Sequence, residues 1–201
     1  TDAKVYTYEN SKDLSKIFNI DVDKIKFKEP FLLDSLLALS IEKILFEKIS
    51  YERINEFIQD PHKLEEFNDR KNRLWIDDSK ATNIDATIQA LKTYKDKKIY
   101  LILGGDDKNA NLEPLFDELL KYNVEIYAIG KNTEKLNSLS LVYNLSVKKM
   151  YDLKDAVIEI DKKLDKASVS LLSPAAASLD QFNSYKQRGE KFKEFVNSFT
   201  D

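Results

Sequence analysis

The stretch Ile99-Tyr100-Leu101-Ile102-Leu103-Gly104-Gly105-Asp106-Asp107-Lys108 decides the fold class. Five apolar residues in unbroken succession give way to a glycine pair and a charged turn. Such a run suits a strand buried on both faces. Working outward, Arg73 to Asp77, Val124 to Ile129, Val147 to Met150 and Ser168 to Leu172 read as further strands. Between them Ile84 to Tyr94, Leu112 to Lys121, Thr133 to Val142 and Leu153 to Leu164 carry helical spacing. Strand and helix in alternation predict an α/β fold with a Rossmann-like, mostly parallel, doubly wound sheet. A final helix is expected from Ser178 to Phe199, with Phe182, Tyr185, Phe192, Val196 and Phe199 as its apolar stripe.

Residues 1–60 read differently. Lys4 to Tyr8 and Asp21 to Phe27 alternate like short strands, Phe31 to Phe46 is a strongly apolar helix, and Tyr51 to Ile58 is a second one. Asp60-Pro61 marks a boundary, because proline disfavours helix in the residue before it. The expected organisation is a small α/β unit over 1–60 and the sheet domain over 61–201. His62 to Phe67 and Arg73 to Asp77 flank the polar segment Asn68 to Asn72, so a hairpin opens the second unit.

Composition narrows the function. Of 201 residues, 42% are hydrophobic and 33% charged, enough for one good core and a small second unit. Lys and Arg number 32 against 35 Asp and Glu, a net charge of -3, which makes no bulk electrostatic case for nucleic acid or an anionic membrane. There is no cysteine and one histidine, His62, so disulfides, thiolate metal sites and histidine-rich sites are excluded, and no metal site is expected. No apolar run approaches the roughly 20 residues that span a bilayer. The first residues lack the apolar core of a signal peptide. A cytoplasmic, monomeric protein is expected, and, because the chain opens on Thr1, one whose natural product is longer.

Ligands of open α/β sheets bind beyond the carboxyl ends of the strands, and three such ends carry unusual loops. In Asp77-Asp78-Ser79-Lys80-Ala81-Thr82-Asn83, either Thr82 or Asn83 can cap the next helix, whose amide end then faces an anion beside Lys80. The paired acids can orient that lysine or touch a ribose; a plain polar turn with a good cap explains the segment equally well. In Gly104-Gly105-Asp106-Asp107-Lys108, glycine permits positive φ or close approach of a ligand, and Lys108 can reach a carboxylate or phosphate. In Ser173-Pro174-Ala175-Ala176-Ala177-Ser178-Leu179-Asp180-Gln181-Phe182, Ser178 and Gln181 form a capping-box pattern at which the last helix is expected to begin. A lone histidine beside Pro61 is more often structural or solvated than catalytic, and Trp75 inside a strand reads as core. No Gly-x-x-x-x-Gly-Lys-[Ser/Thr] occurs, so the chain has no phosphate loop of its own.

Together, Trp75 to Asn83, Leu103 to Lys108 and Leu172 to Phe182, continued by Gln187-Arg188-Gly189-Glu190-Lys191-Phe192, resemble the Mur ligases, and among these the members that add D-glutamate. The resemblance covers residues 61–201 and extends weakly over 1–60, which is similar to the tail of the family's central ATP-binding domain. It implies the carboxy-terminal, Rossmann-like domain of a three-domain ligase of peptidoglycan synthesis, inactive alone. ATP, with Mg2+ held outside this chain, phosphorylates the carboxylate of UDP-N-acetylmuramoyl-L-alanine, and D-glutamate attacks the acyl phosphate. By the same resemblance Lys80 is the catalytic lysine at the nucleotide phosphates, with Lys63 and Asp78 also on the nucleotide side. Thr82, Lys108, Ser178, Leu179 and Tyr185 hold D-glutamate, and Asp106 supports their loop. Three departures stand out. The family has Pro-His-Arg where this chain has Pro61-His62-Lys63, which keeps the charge and loses the bidentate fork. Tyr185 stands where phenylalanine is common. Leu32 and Ser35 replace the asparagines that meet adenine, so no adenine contact is expected there. A sister Mur or folylpolyglutamate ligase domain and a free-standing Rossmann-like binding module remain as alternatives.

Overall fold

The computed structural model describes residues 4–198. Phe199, placed above at the end of the apolar stripe, lies outside the described residues. The chain divides into two compact units between Gln59 and Asp60.

The first unit is helical. Helices α1 (Ser11–Ile17), α2 (Phe31–Phe46) and α3 (Tyr51–Glu56) enclose a small core of Leu14, Phe18, Ile20, Ile25, Leu36 and Leu39. The two strands expected here do not form. Lys4 to Tyr8 has no regular structure, and Val22–Lys24 is a 3-10 turn capped by Asp21. Beyond the turn the Lys26 amide donates to Asn55 Oδ1, so this backbone finds a side chain where a ladder would have needed a neighbouring strand. Helix α1, which has no long apolar run to announce it, is marked in the sequence by its cap. Asn10 accepts from the Asp13 amide and Asp13 accepts from the Glu9 amide, a reciprocal cap.

The second unit is a six-stranded sheet in the order β1-β2-β6-β3-β4-β5. Its strands are β1 (Glu65–Asn68), β2 (Leu74–Asp77), β3 (Lys98–Gly104), β4 (Val124–Ile129), β5 (Val147–Tyr151) and β6 (Ser168–Leu172). The β1–β2 hairpin is antiparallel and every other pairing is parallel. Helices α4 (Ile84–Thr93), α5 (Glu113–Leu119) and α6 (Thr133–Tyr143) cover one face over Leu101, Leu103, Ile126 and Leu171. Helices α7 (Leu153–Asp161) and α8 (Tyr185–Asn197) cover the other over Trp75, Ile102, Tyr127 and Leu172. Burial on both faces is why β3 and β6 read as continuous apolar runs. Among the described residues no helix is long and apolar enough to cross a membrane.

The start of the last helix is a correction. Helix α8 begins at Tyr185, with Ser184 accepting from the Gln187 amide, so the capping residue is not Ser178. Residues 178–182 make a single turn instead, in which the Gln181 and Phe182 amides donate to the Ser178 carbonyl.

Candidate functional site

Strands β2, β6 and β3 are neighbours, so the three loops at their carboxyl ends are neighbours too. In the first loop the two acids face inward. Asp77 is fully buried, with Oδ2 2.7 Å from His62 Nδ1 and Oδ1 accepting from the Ser79 amide at 3.0 Å. Asp78 accepts from the Leu64 amide at 3.2 Å and from the Ser173 hydroxyl at 2.6 Å. Burial pushes its carboxyl up to about 7, against the pull of those two donors. Neither acid holds Lys80, whose ammonium donates to Asp60 at 2.7 Å. That bond raises the Lys80 pKa and lowers that of Asp60, so both stay charged. The Lys80 amide donates to the His62 carbonyl, which ties the 60–63 segment to this loop. Asn83, not Thr82, caps α4 by accepting from the Ala86 amide; Thr82 is left exposed.

The second loop shows what its glycines are for. A side chain on Gly104 (φ 119°) would start 2.2 Å from the Ile129 carbonyl oxygen, and one on Gly105 (φ 142°) 2.3 Å from that of Ala177. The close approach is therefore to neighbouring backbone. Asp106 and Ala177 exchange two backbone hydrogen bonds of 2.9 Å each, which joins the second loop to the third. The Asp106 carboxylate accepts from the Lys108 amide at 3.1 Å and holds that turn, and the Lys108 side chain is exposed. Burial alone would raise Asp107, but its bonds to Lys135 and Asn132 prevail and lower it.

The third loop spreads over its neighbours. The Pro174 carbonyl accepts from the Gly104 amide, Asp180 accepts from the Lys131 amide, and Gln181 donates to the Tyr151 carbonyl. Ser178 is buried one residue from the Asp106 bridge, while Leu179 beside it is 69% exposed. Tyr185 is half-buried, edge-on to His62 with ring centroids 6.3 Å apart. The loop joins thus bring the Lys108 and Ser178 segments together, and Tyr185 lies on the His62–Asp77 side.

Two features escaped sequence reading. His62, Glu65 and Asp77 place potential metal-ligand atoms within 4.8 Å of one another. Lys193 occupies that cluster, 3.0 Å from both Glu65 oxygens and 3.9 Å from Asp77 Oδ2, so it is an ion-pair network with the buried His62 as a structural member. The other is Arg188, 1% exposed, whose guanidinium bonds to Ser79 and Ala176. It lay inside the quoted Gln187-Arg188-Gly189 segment, but helical spacing alone does not say that an arginine points inward.

A mostly parallel sheet with polar loops at adjacent strand ends, stapled to one another, is an open α/β architecture, and solved ligases share its fold. The MurF ligase of Thermotoga maritima in complex with ADP superposes with a TM-score of 0.57 at 15% identity, over 85% of this chain and 38% of that one. The UDP-N-acetylmuramate–alanine ligase MurC of the same organism gives 0.58 at 18% identity, over 85% and 38%. No family model matches the chain. Sequence relatives carry the likeness further. The UDP-N-acetylmuramoylalanine–D-glutamate ligase of Campylobacter jejuni is 53% identical over 197 residues, 98% of this chain and 49% of that protein. The ligase of the same name from Helicobacter pylori is 47% identical over 204 residues, 96% and 48%. The chain is thus similar along nearly its whole length to ligases of this kind, and it spans about half the length of the curated relatives it matches.

Proposed function

We propose that this chain is the carboxy-terminal, amino-acid-presenting half of an ATP-dependent ligase that joins D-glutamate to UDP-N-acetylmuramoyl-L-alanine in cytoplasmic peptidoglycan synthesis. The observation that carries the reading is the 53% identity along nearly the whole chain to a ligase of that name. Residues 1–60 belong to the tail of the central ATP-binding domain and 61–201 form the ligase's last domain. The γ-phosphoryl group of ATP passes to the substrate carboxylate and ADP leaves. The free amine of D-glutamate then attacks the acyl carbon, and the tetrahedral intermediate expels phosphate and loses a proton. Mg2+ would be held by ligands outside this chain and, when bound, would supply charge neutralisation at the transferring phosphoryl group.

The residues divide by side. Lys80 and Lys63 meet nucleotide phosphates, and Lys80 exchanges Asp60 for phosphate when the nucleotide arrives. A lysine opposite a transferring phosphoryl group stabilises the charge that develops there. Asp78 serves the nucleotide side from beneath the loop, because both its oxygens are engaged by Leu64 and Ser173. Thr82, Lys108, Ser178, Leu179 and Tyr185 receive the two carboxylates of D-glutamate, with Asp106 holding the Lys108 turn. This chain has no phosphate loop, so the ligation itself requires the longer protein.

The test is a titration of the 15N-labelled chain with D-glutamate. Backbone amides at Ser178, Leu179 and Lys108 should shift with D-glutamate and not with L-lysine or meso-diaminopimelate. Lys108→Ala should weaken binding by about tenfold, the scale of one charge-assisted hydrogen bond. Equal response to the other amino acids would point to a sister ligase.

A further inference from the structure

Arg188 is a large buried cation that the proposed chemistry leaves unused. Unlike the buried Arg73, which pairs with Asp69 and Asp161, it has no carboxylate partner within salt-bridge distance among the described residues. It projects from the first turn of α8 and is 1% exposed. Its Nε donates to Ser79 Oγ at 2.9 Å and its Nη2 to the Ser79 carbonyl at 2.8 Å. Nη1 and Nη2 each donate to the Ala176 carbonyl at 3.2 Å. All three acceptors are neutral. Asp180 and Asp77 act on the charge through space, and burial brings the guanidinium down to about 10. Burying a cation on neutral acceptors costs several kcal/mol that an apolar side chain would not incur, so stability is a poor reason for an arginine here.

The acceptors supply the reason. Ser79 precedes Lys80 in the first loop, and Ala176 lies two residues before Ser178 in the third. One rigid, planar fork therefore spans both loops, which a lysine's single point of donation cannot do. Two further contacts tie the helix start to the same place. The Ser79 hydroxyl donates to the Tyr185 carbonyl at 2.8 Å, and Gly189 packs against His62 and Asp77.

We propose that Arg188 is a positioning residue that fixes the spacing between the Lys80–Thr82 loop and the Ser178–Leu179 loop, so that the two loops hold their register as a single unit. The consequence for ligands rests on the function proposed above. If the first loop meets phosphate and the third meets D-glutamate, Arg188 sets the distance between donor and acceptor of the reaction.

Two measurements on the same 201-residue chain test this. The first needs no ligand. In Arg188→Lys, amide hydrogen exchange at Lys80 and at Ala177, both hydrogen-bonded in the native protein, should accelerate together by about tenfold or more, while Ile102 in the sheet centre stays protected. Exchange unchanged at either loop overturns the proposal. So does equal acceleration everywhere, which would mean plain destabilisation. Should Arg188→Lys fail to fold, Ser79→Ala, which removes one acceptor and keeps the arginine, should show the same paired acceleration at smaller amplitude, and its absence overturns the proposal equally. The second adds D-glutamate. Binding should weaken about tenfold in Arg188→Lys, and guanidinium should restore part of it in Arg188→Ala. A wild-type chain that ignores D-glutamate sinks the proposed function and leaves the exchange result to judge Arg188. A wild-type chain that binds, with a folded variant that binds equally well, removes Arg188 from the site.

Discussion

Asp78 holds its carboxyl between the Leu64 amide and the Ser173 hydroxyl at 4% exposure, and burial pushes its pKa up to about 7. In the unfolded chain it titrates near the ordinary aspartate value of about 4. Between those values the folded protein keeps a proton that the unfolded chain has released, so stability falls as pH rises through this window. The contribution is complete below about pH 4 and lost by about pH 7. Asn at this position cannot ionise. The melting temperature of Asp78→Asn minus that of wild type should therefore grow more positive from pH 4.5 to 7.5. A difference that stays flat would mean that the two donors hold the carboxylate ionised throughout. The Lys80–Asp60 pair is of a different kind. Both partners are open to solvent and screened by salt, so the pair is easily broken and adds little to the fold.

At the scale of the element, α8 links the site to the core. Its apolar side, Phe192 and Val196, is buried under the sheet, while its first turn carries Tyr185, Arg188 and Gly189 to the loops. A Cβ on Gly189 would stand 2.3 Å from His62 Nδ1 and 2.5 Å and 2.8 Å from the two Asp77 oxygens. Neither neighbour can retreat, since they are bonded to each other at 2.7 Å. Gly189→Ala should cost roughly 1–3 kcal/mol despite alanine's better helix propensity, seen as a lower urea midpoint. A midpoint at or above wild type would show that α8 does not press on the His62–Asp77 pair. Helix α8 also shows where sequence reading stops. Ser178-x-x-Gln181 and Ser184-x-x-Gln187 are the same pattern six residues apart, and only the second opens the helix. Residues 174–177 are drawn out by bonds to Gly104 and Asp106, and Asp180 and Gln181 are claimed by Lys131 and Tyr151. These are long-range contacts that no local pattern encodes. The buried strands were legible because burial on both faces writes itself as apolar runs. Lys4 to Tyr8 and Asp21 to Phe27 carried an alternation with no strand beside them to complete it. The three loops of the candidate site were legible, but the inward turn of Asp77, Asp78 and Arg188 was not, since a charged residue looks the same in sequence whether it faces water or backbone.

The whole molecule comprises a sheet domain with two covered faces and a first unit with one small core. Helix α2 reads Phe-Leu-Leu-Asp-Ser-Leu-Leu-Ala-Leu-Ser-Ile-Glu-Lys-Ile-Leu-Phe, apolar nearly all the way round, and such helices are ordinarily buried on every side. Only one side is covered here. Leu36 and Leu39 enter the core, whereas Ile41, Ile44, Leu45 and Phe46 are each more than half exposed. A contiguous apolar strip of this kind is a surface that water leaves readily, so it should bind a hydrophobic reporter dye such as anilinonaphthalene sulfonate. In the sheet domain the exposed Leu120 and Leu179 stand singly, and Leu141 and Val142 adjoin as a pair smaller than the α2 strip, so these should contribute less. The chain should therefore enhance dye fluorescence severalfold more than residues 60–201 alone, which should keep a cooperative melt because both faces of their sheet are already packed. Replacing Ile44 and Leu45 together by lysine in the full chain should lower the signal toward that of 60–201 without lowering the melting temperature of the sheet domain. Undiminished fluorescence in that double variant would place the dye elsewhere and remove the strip as an unsatisfied surface of the first unit.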